Sequence, residues 1–186
     1  MKNGGKLWFP AGLLMSLGLG WFGFPQVLYR KTPQPVQFSH RVHAEKGGMK
    51  CDDCHALRED GSFTGIPRIE KCAECHSSAL GTTAAEKTVV EQYVARNREI
   101  PWLVYARQPD NVYFSHAPHL KVAKLTCEQC HHGQGSTDTL RVYEEDRLSG
   151  YSRDVRGSDR GKRMATCEQC HGTHGFTQQG CLECHK

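Results

Sequence analysis

Apolar residues are concentrated at one end of this chain. From Leu7 to Tyr29 (LWFPAGLLMSLGLGWFGFPQVLY) no side chain is charged, whereas Lys2 and Lys6 precede the run and Arg30 and Lys31 follow it. At about 1.5 Å per residue such a run crosses a hydrocarbon layer of roughly 30 Å as a helix. It exceeds the apolar core of a cleaved leader and no Ala-x-Ala-like site follows it, so an uncleaved signal anchor over residues 1–30 is expected. Trp8, Phe9, Trp21, Phe22 and Tyr29 suit the membrane interfaces or partner helices. Pro10, Pro25 and the glycines weaken a lone helix, which points to neighbouring protein in the membrane.

Beyond the anchor, residues 82–98 (TTAAEKTVVEQYVARNR) predict a helix capped by Thr82 or Thr83, with Glu86 in its first turns and Arg96 and Arg98 near its end. Val89, Val90, Tyr93 and Val94 form its apolar stripe, which packs rather than reacts. Residues 100–114 (IPWLVYARQPDNVYF) are aromatic, interrupted by proline and expected to be extended. Residues 141–163 are dense in charge and carry Gly150, Gly157 and Gly161, the pattern of an exposed excursion that admits a short helix around YEEDRL.

With 186 residues, 38% of them apolar, and a mean hydropathy of -0.60, the part after the anchor is one modest domain, 31–186, short of material for a conventional core. All ten cysteines fall in five copies of Cys-x-x-Cys-His: Cys51, Cys54 and His55; Cys72, Cys75 and His76; Cys127, Cys130 and His131; Cys167, Cys170 and His171; Cys181, Cys184 and His185. The motif is the attachment signature of c-type haem, in which both thiols form thioethers to the porphyrin and the histidine becomes the proximal iron ligand. Zinc ribbons need paired Cys-x-x-Cys units, and five copies leave one unmatched. Thioredoxin-like pairs and disulfide scaffolds place no demand on the residue after the second cysteine. Five covalent haems follow, and their apolar faces supply the missing core, so the chain without haem is expected to be largely unfolded.

Haem also reverses the charge. The chain carries a net +4, but each ferrous haem with two ionised propionates adds about two negative charges, and Lys and Arg pair with them. Charge is mixed throughout with no basic patch interleaved with aromatics, so no nucleic-acid partner is implied. No nucleophile with its base, phosphate loop or paired-carboxylate site is present.

A duplication assigns the remaining histidines. Phe38-Ser39-His40-Arg41-Val42-His43 and Phe114-Ser115-His116-Ala117-Pro118-His119 are offset by 76 residues, and the same offset relates Cys51, Cys54 and His55 to Cys127, Cys130 and His131. Histidines three apart share one face of a helical turn, and each offers an imidazole to a different iron. His40, His43, His116 and His119 are therefore the leading distal ligands. Eleven histidines less five proximal ones leave six, so His174 or His132 completes a set of five and one is left over. His174 is preferred, because Gly172 lets the chain fold back towards the iron of His171, whereas His132 adjoins a proximal ligand and faces away from it. Met49 and Met164 are the only methionines in the domain and are read as packing. The domain divides into a two-haem module at 36–80, a linker at 81–112 and a three-haem module at 113–186.

The duplicated F-S-H-x-x-H and Cys-x-x-Cys-His pattern resembles the class III cytochrome c and cytochrome c7 families. The match continues through Phe63-Thr64-Gly65-Ile66-Pro67, Ile100-Pro101-Trp102, Pro109-Asp110 and Val112-Tyr113-Phe114-Ser115-His116. With the anchor, the chain resembles the membrane-anchored multihaem cytochrome c subunits of the Qrc menaquinone reductase and alternative complex III group. The resemblance implies a small class III-like fold, mostly coil with short α-helices wrapped around haems, on one transmembrane helix of the inner membrane with its haem domain in the periplasm. It implies electron transfer from a soluble periplasmic tetrahaem class III cytochrome c to menaquinone, within the respiratory chain of sulfate reduction. The implied partners are a molybdopterin-like subunit, an iron–sulfur subunit, an integral-membrane quinone-binding subunit and membrane lipid. It also implies that a sixth, non-covalent haem can join the five, with the spare histidine as a ligand. The alternatives are the cytochrome subunit of a quinol-oxidising alternative complex III, and a multihaem reductase with an open haem site.

Overall fold

The computed structural model describes residues 4–105, 111–151, 164–175 and 181–185. A helix opens the chain as α1 (Gly4–Gly18), widens into a π turn at Leu19–Gly23 and resumes as α2 (Phe24–Leu28). Glycines at both edges of the π turn and Pro25 at the start of α2 explain the irregularity, since neither residue type supports a regular helical ladder. At 21 residues with a mean hydropathy of 1.3, Trp8–Leu28 is long and apolar enough to cross a membrane, and none of it is buried among the described residues. At about 1.5 Å per residue it spans roughly 31 Å.

The chain leaves this helix directly into β1 (Tyr29–Thr32), which pairs antiparallel with β2 (Tyr143–Asp146), Arg30 opposite Glu145 and Lys31 opposite Glu144. Here the structure corrects the exposed excursion and the short helix it admitted around YEEDRL: Tyr143–Asp146 form a strand that buries Asp146, and Arg147–Leu148 lie in a turn, because the basic pair Arg30 and Lys31 offers charge-complementary partners. Arg30 meets Glu145 at 2.6 Å and Lys31 meets Glu144 at 3.4 Å. The rest of the expected excursion, residues 152–163, lies outside the described residues, as do residues 106–110 of the extended aromatic segment.

Short helices follow: α3 (His40–Glu45), α4 (Cys51–Cys54), α5 (Ile69–Ala73) and α6 (Ala84–Thr88). A π segment at Val89–Val94 extends α6, and a π turn at Pro118–Val122, α7 (Cys127–Cys130), a 3-10 turn at Gln134–Ser136, α8 (Met164–Thr173) and α9 (Cys181–Cys184) complete the set. Thr83 caps α6, its hydroxyl accepting from the Glu86 N–H at 3.2 Å. The expected helix ends short of Arg98, because Asn97 adopts a left-handed φ of 45°. Arg98 then turns back over the Tyr93 ring at 4.9 Å.

Among the described residues the buried hydrophobic core is Val36, Ile69, Tyr93 and Ile100, with Cys72, Val89, Val94 and Trp102 packed against it. So small a core among the described residues leaves most of the packing of the domain to something other than the polypeptide.

Candidate functional site

Each Cys-x-x-Cys pair sits on a helical turn: α4, the end of α5, α7, α8 and α9. One turn places residues three apart on one face, so both thiols of a motif address the same edge of a planar group. The following histidine is fixed by an N–H that donates to the carbonyl of the first cysteine, at 2.8 Å for His55, 2.9 Å for His76 and 2.8 Å for His131. His55 and His131 share nearly one backbone conformation, φ -115° and ψ 61° against φ -109° and ψ 57°. The turns before them close alike: the Lys50 N–H donates to Asp53 and the Thr126 N–H to Gln129, both at 2.6 Å. In the fifth motif Cys181 contributes its backbone to α9, and its side chain lies outside the described residues. That motif is tied in by the Tyr113 N–H donating to the Cys184 carbonyl at 2.6 Å and by a bridge between Val112 and His185.

The duplicated histidine segment recurs in three dimensions. Ser39 caps α3, its hydroxyl accepting from the Val42 N–H at 3.1 Å. His43 Nδ1 donates to the Ser39 carbonyl at 2.7 Å, and His119 Nδ1 to the Ser115 carbonyl at 2.7 Å. With the proton on Nδ1, each ring keeps the Nε2 lone pair free for a metal. Phe38 meets His40 edge-on at 4.9 Å and stacks on His43 at 4.2 Å; Phe114 lies 4.9 Å and 4.7 Å from His116 and His119. The copies differ at two positions, Ala117 for Arg41 and Pro118 for Val42; the missing N–H of Pro118 removes the serine cap, and the second copy opens into a π turn.

Across the modules, His43 and His76 have ring centres 6.1 Å apart, His116 and His131 6.4 Å, and His119 and His171 6.1 Å. A metal–nitrogen bond of about 2.0–2.1 Å on each side, plus roughly 1.1 Å from each nitrogen to its ring centre, puts two imidazoles about 6.3 Å apart across one ion. The residues therefore fit a group carrying a central metal between paired imidazoles. His40 is placed differently: its Nδ1 lies 3.1 Å from the Thr137 hydroxyl, which itself donates to the Gln134 carbonyl at 2.9 Å. Thr137 must then accept from His40, which again leaves Nε2 free. Arg41 reinforces this seat with a two-point pair to Asp138 and an N–H to the Thr137 carbonyl at 3.1 Å.

Burial lowers the basicity of His40, and the nearby His55 and His43 lower it further. Burial also lowers that of His116, with His119 adding to the effect. Both groups are thereby held neutral, the form in which imidazole binds iron.

The fold-back expected at Gly172 does not occur. That glycine lies within α8, and His174 follows on the same turn, where its Nδ1 lies 2.9 Å from the Cys170 carbonyl. The left-handed conformation that only glycine adopts freely falls instead at Gly175, with φ 80°. His174 and His132 are both exposed.

Sequence reasoning missed two residues that orient ligands. Thr137 lies 97 positions from His40 and no local pattern marks it. Gly65, at φ 72°, turns its carbonyl onto His55 Nδ1 at 2.7 Å. Its loop also carries Phe63, stacked on His116 at 4.1 Å and 6.2 Å from His55, so the first proximal histidine and the second copy meet across one ring.

The Class III cytochrome C family matches residues 24–100 of this chain. The menaquinone reductase multiheme cytochrome c subunit of Nitratidesulfovibrio vulgaris is 40% identical to it over 197 residues, covering 98% of this chain and 91% of the relative.

Proposed function

The chain belongs to the family of multihaem cytochromes c that includes that subunit, and from this membership we propose that it carries electrons between a soluble tetrahaem class III cytochrome c and a membrane menaquinone reductase complex. It is an electron-transfer subunit, not itself a catalyst. The observation that carries the reading is the spacing of the three imidazole pairs at 6.1, 6.4 and 6.1 Å. At those three haems two imidazoles would ligate the iron and leave it no open position for a substrate, which disfavours the reductase alternative there.

Haem c, once bound, supplies one-electron ferric–ferrous chemistry. The protein's residues do the rest. Ten cysteines in five motifs hold five haems, and His55, His76, His131, His171 and His185 are their proximal ligands. His43 partners His76, His116 partners His131 and His119 partners His171. By the 76-residue repeat, His40 partners His55, and His174 rather than His132 is left for His185. Histidines three apart on one turn serve different irons, which brings those haems close together. Residues 1–30 anchor the protein in the inner membrane, and 31–186 lie in the periplasm. The molybdopterin-like, iron–sulfur and integral-membrane quinone-binding subunits complete the path to menaquinone.

The test is the complex purified from native membranes. Menaquinone-analogue reduction driven by reduced class III cytochrome is expected. Failure of that reaction together with quinol-driven cytochrome reduction would reverse the direction and place the chain in a quinol-oxidising complex.

A further inference from the structure

His76 differs from the other histidines whose Nδ1 surroundings are described. His43, His55, His119 and His174 place Nδ1 against backbone carbonyls, and His40 places it against the Thr137 hydroxyl. His76 Nδ1 is buried and makes no hydrogen bond, and 3.3 Å away stands the Glu86 carboxylate oxygen Oε1. Both side chains are largely enclosed, at 21% and 12% exposure, so water screens the pair weakly.

The carboxylate is held there by its surroundings. Glu86 Oε1 accepts the Leu80 N–H at 2.6 Å, and the Glu86 N–H is itself bound by the Thr83 hydroxyl at 3.2 Å. Gly81 leaves room for it, since a Cβ at that position would stand 2.8 Å from Glu86 Oε2. The α6 cap and the glycine thus aim one charge at one proximal ligand.

We infer that Glu86 is a positioning residue that acts through His76 to lower the potential of the second haem, an inference that rests on His76 being an iron ligand as proposed above. An enclosed negative charge 3.3 Å from Nδ1 stabilises positive charge on the ring and the iron it ligates, which makes the imidazole a stronger donor at Nε2 and favours ferric over ferrous iron. A neutral carbonyl or hydroxyl does so less. The couple moves one electron, exchanged with a neighbouring haem, and the Nδ1 proton stays on His76.

The experiment is a redox titration of the whole protein with all haems attached, followed by low-temperature EPR. Glu86→Gln keeps an oxygen for the Leu80 N–H and removes only the charge. It is expected to shift the ferric–ferrous equilibrium of one haem about tenfold towards ferrous, 59 mV upward for one electron, with that haem still low-spin. Gly81→Ala leaves the charge but pushes the carboxylate aside, and is expected to move the same haem in the same direction by less. Midpoints unchanged in both variants at full haem content would overturn the inference. His43→Ala keeps the two readings apart: the haem it turns high-spin must be the one Glu86→Gln shifts, and a shift at another haem overturns the assignment. Low-spin spectra unchanged by His43→Ala would instead defeat the pairing of His43 with His76, whatever Glu86→Gln shows.

Discussion

His116 and His131 face each other with ring centres 6.4 Å apart and planes 11° from parallel. Their histidine segment and haem motif are separated by a π turn and by Lys124, a non-glycine residue in the left-handed region at φ 55° that turns the chain back. His116→Ala is expected to leave haem attached, because Cys127 and Cys130 are untouched, and to turn one of five haems high-spin and able to bind carbon monoxide. Optical and EPR spectra identical to the parent would remove His116 from the ligand set.

Thr137 is the hydroxyl seat of His40, and its isosteric replacement is a clean test of that role. Thr137→Val is expected to cost about 1 kcal/mol in stability, the usual net worth of such a bond. Loss of the acceptor also frees His40 to rotate, so distal ligation at its iron is expected to weaken by 10-fold or more. Ligand-exchange rates with added imidazole measure this; rates equal to the parent's would show that Arg41 and Asp138 suffice to hold the turn.

The motifs, the duplicated histidines, the apolar N-terminal helix and the cap on α6 were legible in the sequence because each is marked by its own residues: Thr83 and Glu86 are three apart, and each His follows its Cys directly. The strand at Tyr143–Asp146 was not, because its stability comes from Arg30 and Lys31, more than a hundred residues away in the chain. Neither was the seat of His40 on Thr137, which depends on how the two modules dock, nor the approach of Glu86 to His76, which depends on the turn by which Leu80 and Gly81 lead into α6. Gly172 misled for a related reason. Glycine permits a reversal without requiring one, and the Cys167–His171 turn carries the helix through it.

Acid is expected to detach His40 and His116 only below the ordinary imidazole value of about 6.5. The direction follows from linkage: burial lowers the folded-state pKa of His40 and His116, so their contribution to the low-spin state is whole above the unfolded value. It is lost as pH falls through the lowered folded value. Iron competes with the proton for the same nitrogen and pushes the transition in the same direction. An optical titration downward from neutral pH reads the high-spin fraction. A fraction already rising as pH approaches 6.5 would mean that these rings are neither buried nor ligating.

The N-terminal helix sets a last expectation. None of the Trp8–Leu28 window is buried among the described residues, and β1 begins immediately after at Tyr29. A deletion ending at Leu28 behind a cleavable leader is therefore expected to release a soluble protein with unchanged haem spectra, since it spares the ribbon in which Arg30 meets Glu145. Extending the deletion through Thr32 removes that pair and its neighbour Lys31–Glu144, both exposed on the basic side and together worth no more than about 1–2 kcal/mol. Loss of the β1 backbone ladder adds to this, so the longer deletion should melt earlier while retaining its haems. The intact chain is expected to stay in the pellet after alkaline carbonate extraction with its first thirty residues still attached by mass spectrometry. A mature protein beginning near Tyr29 would instead make the helix a leader, and attachment to the membrane would then depend on the other subunits alone.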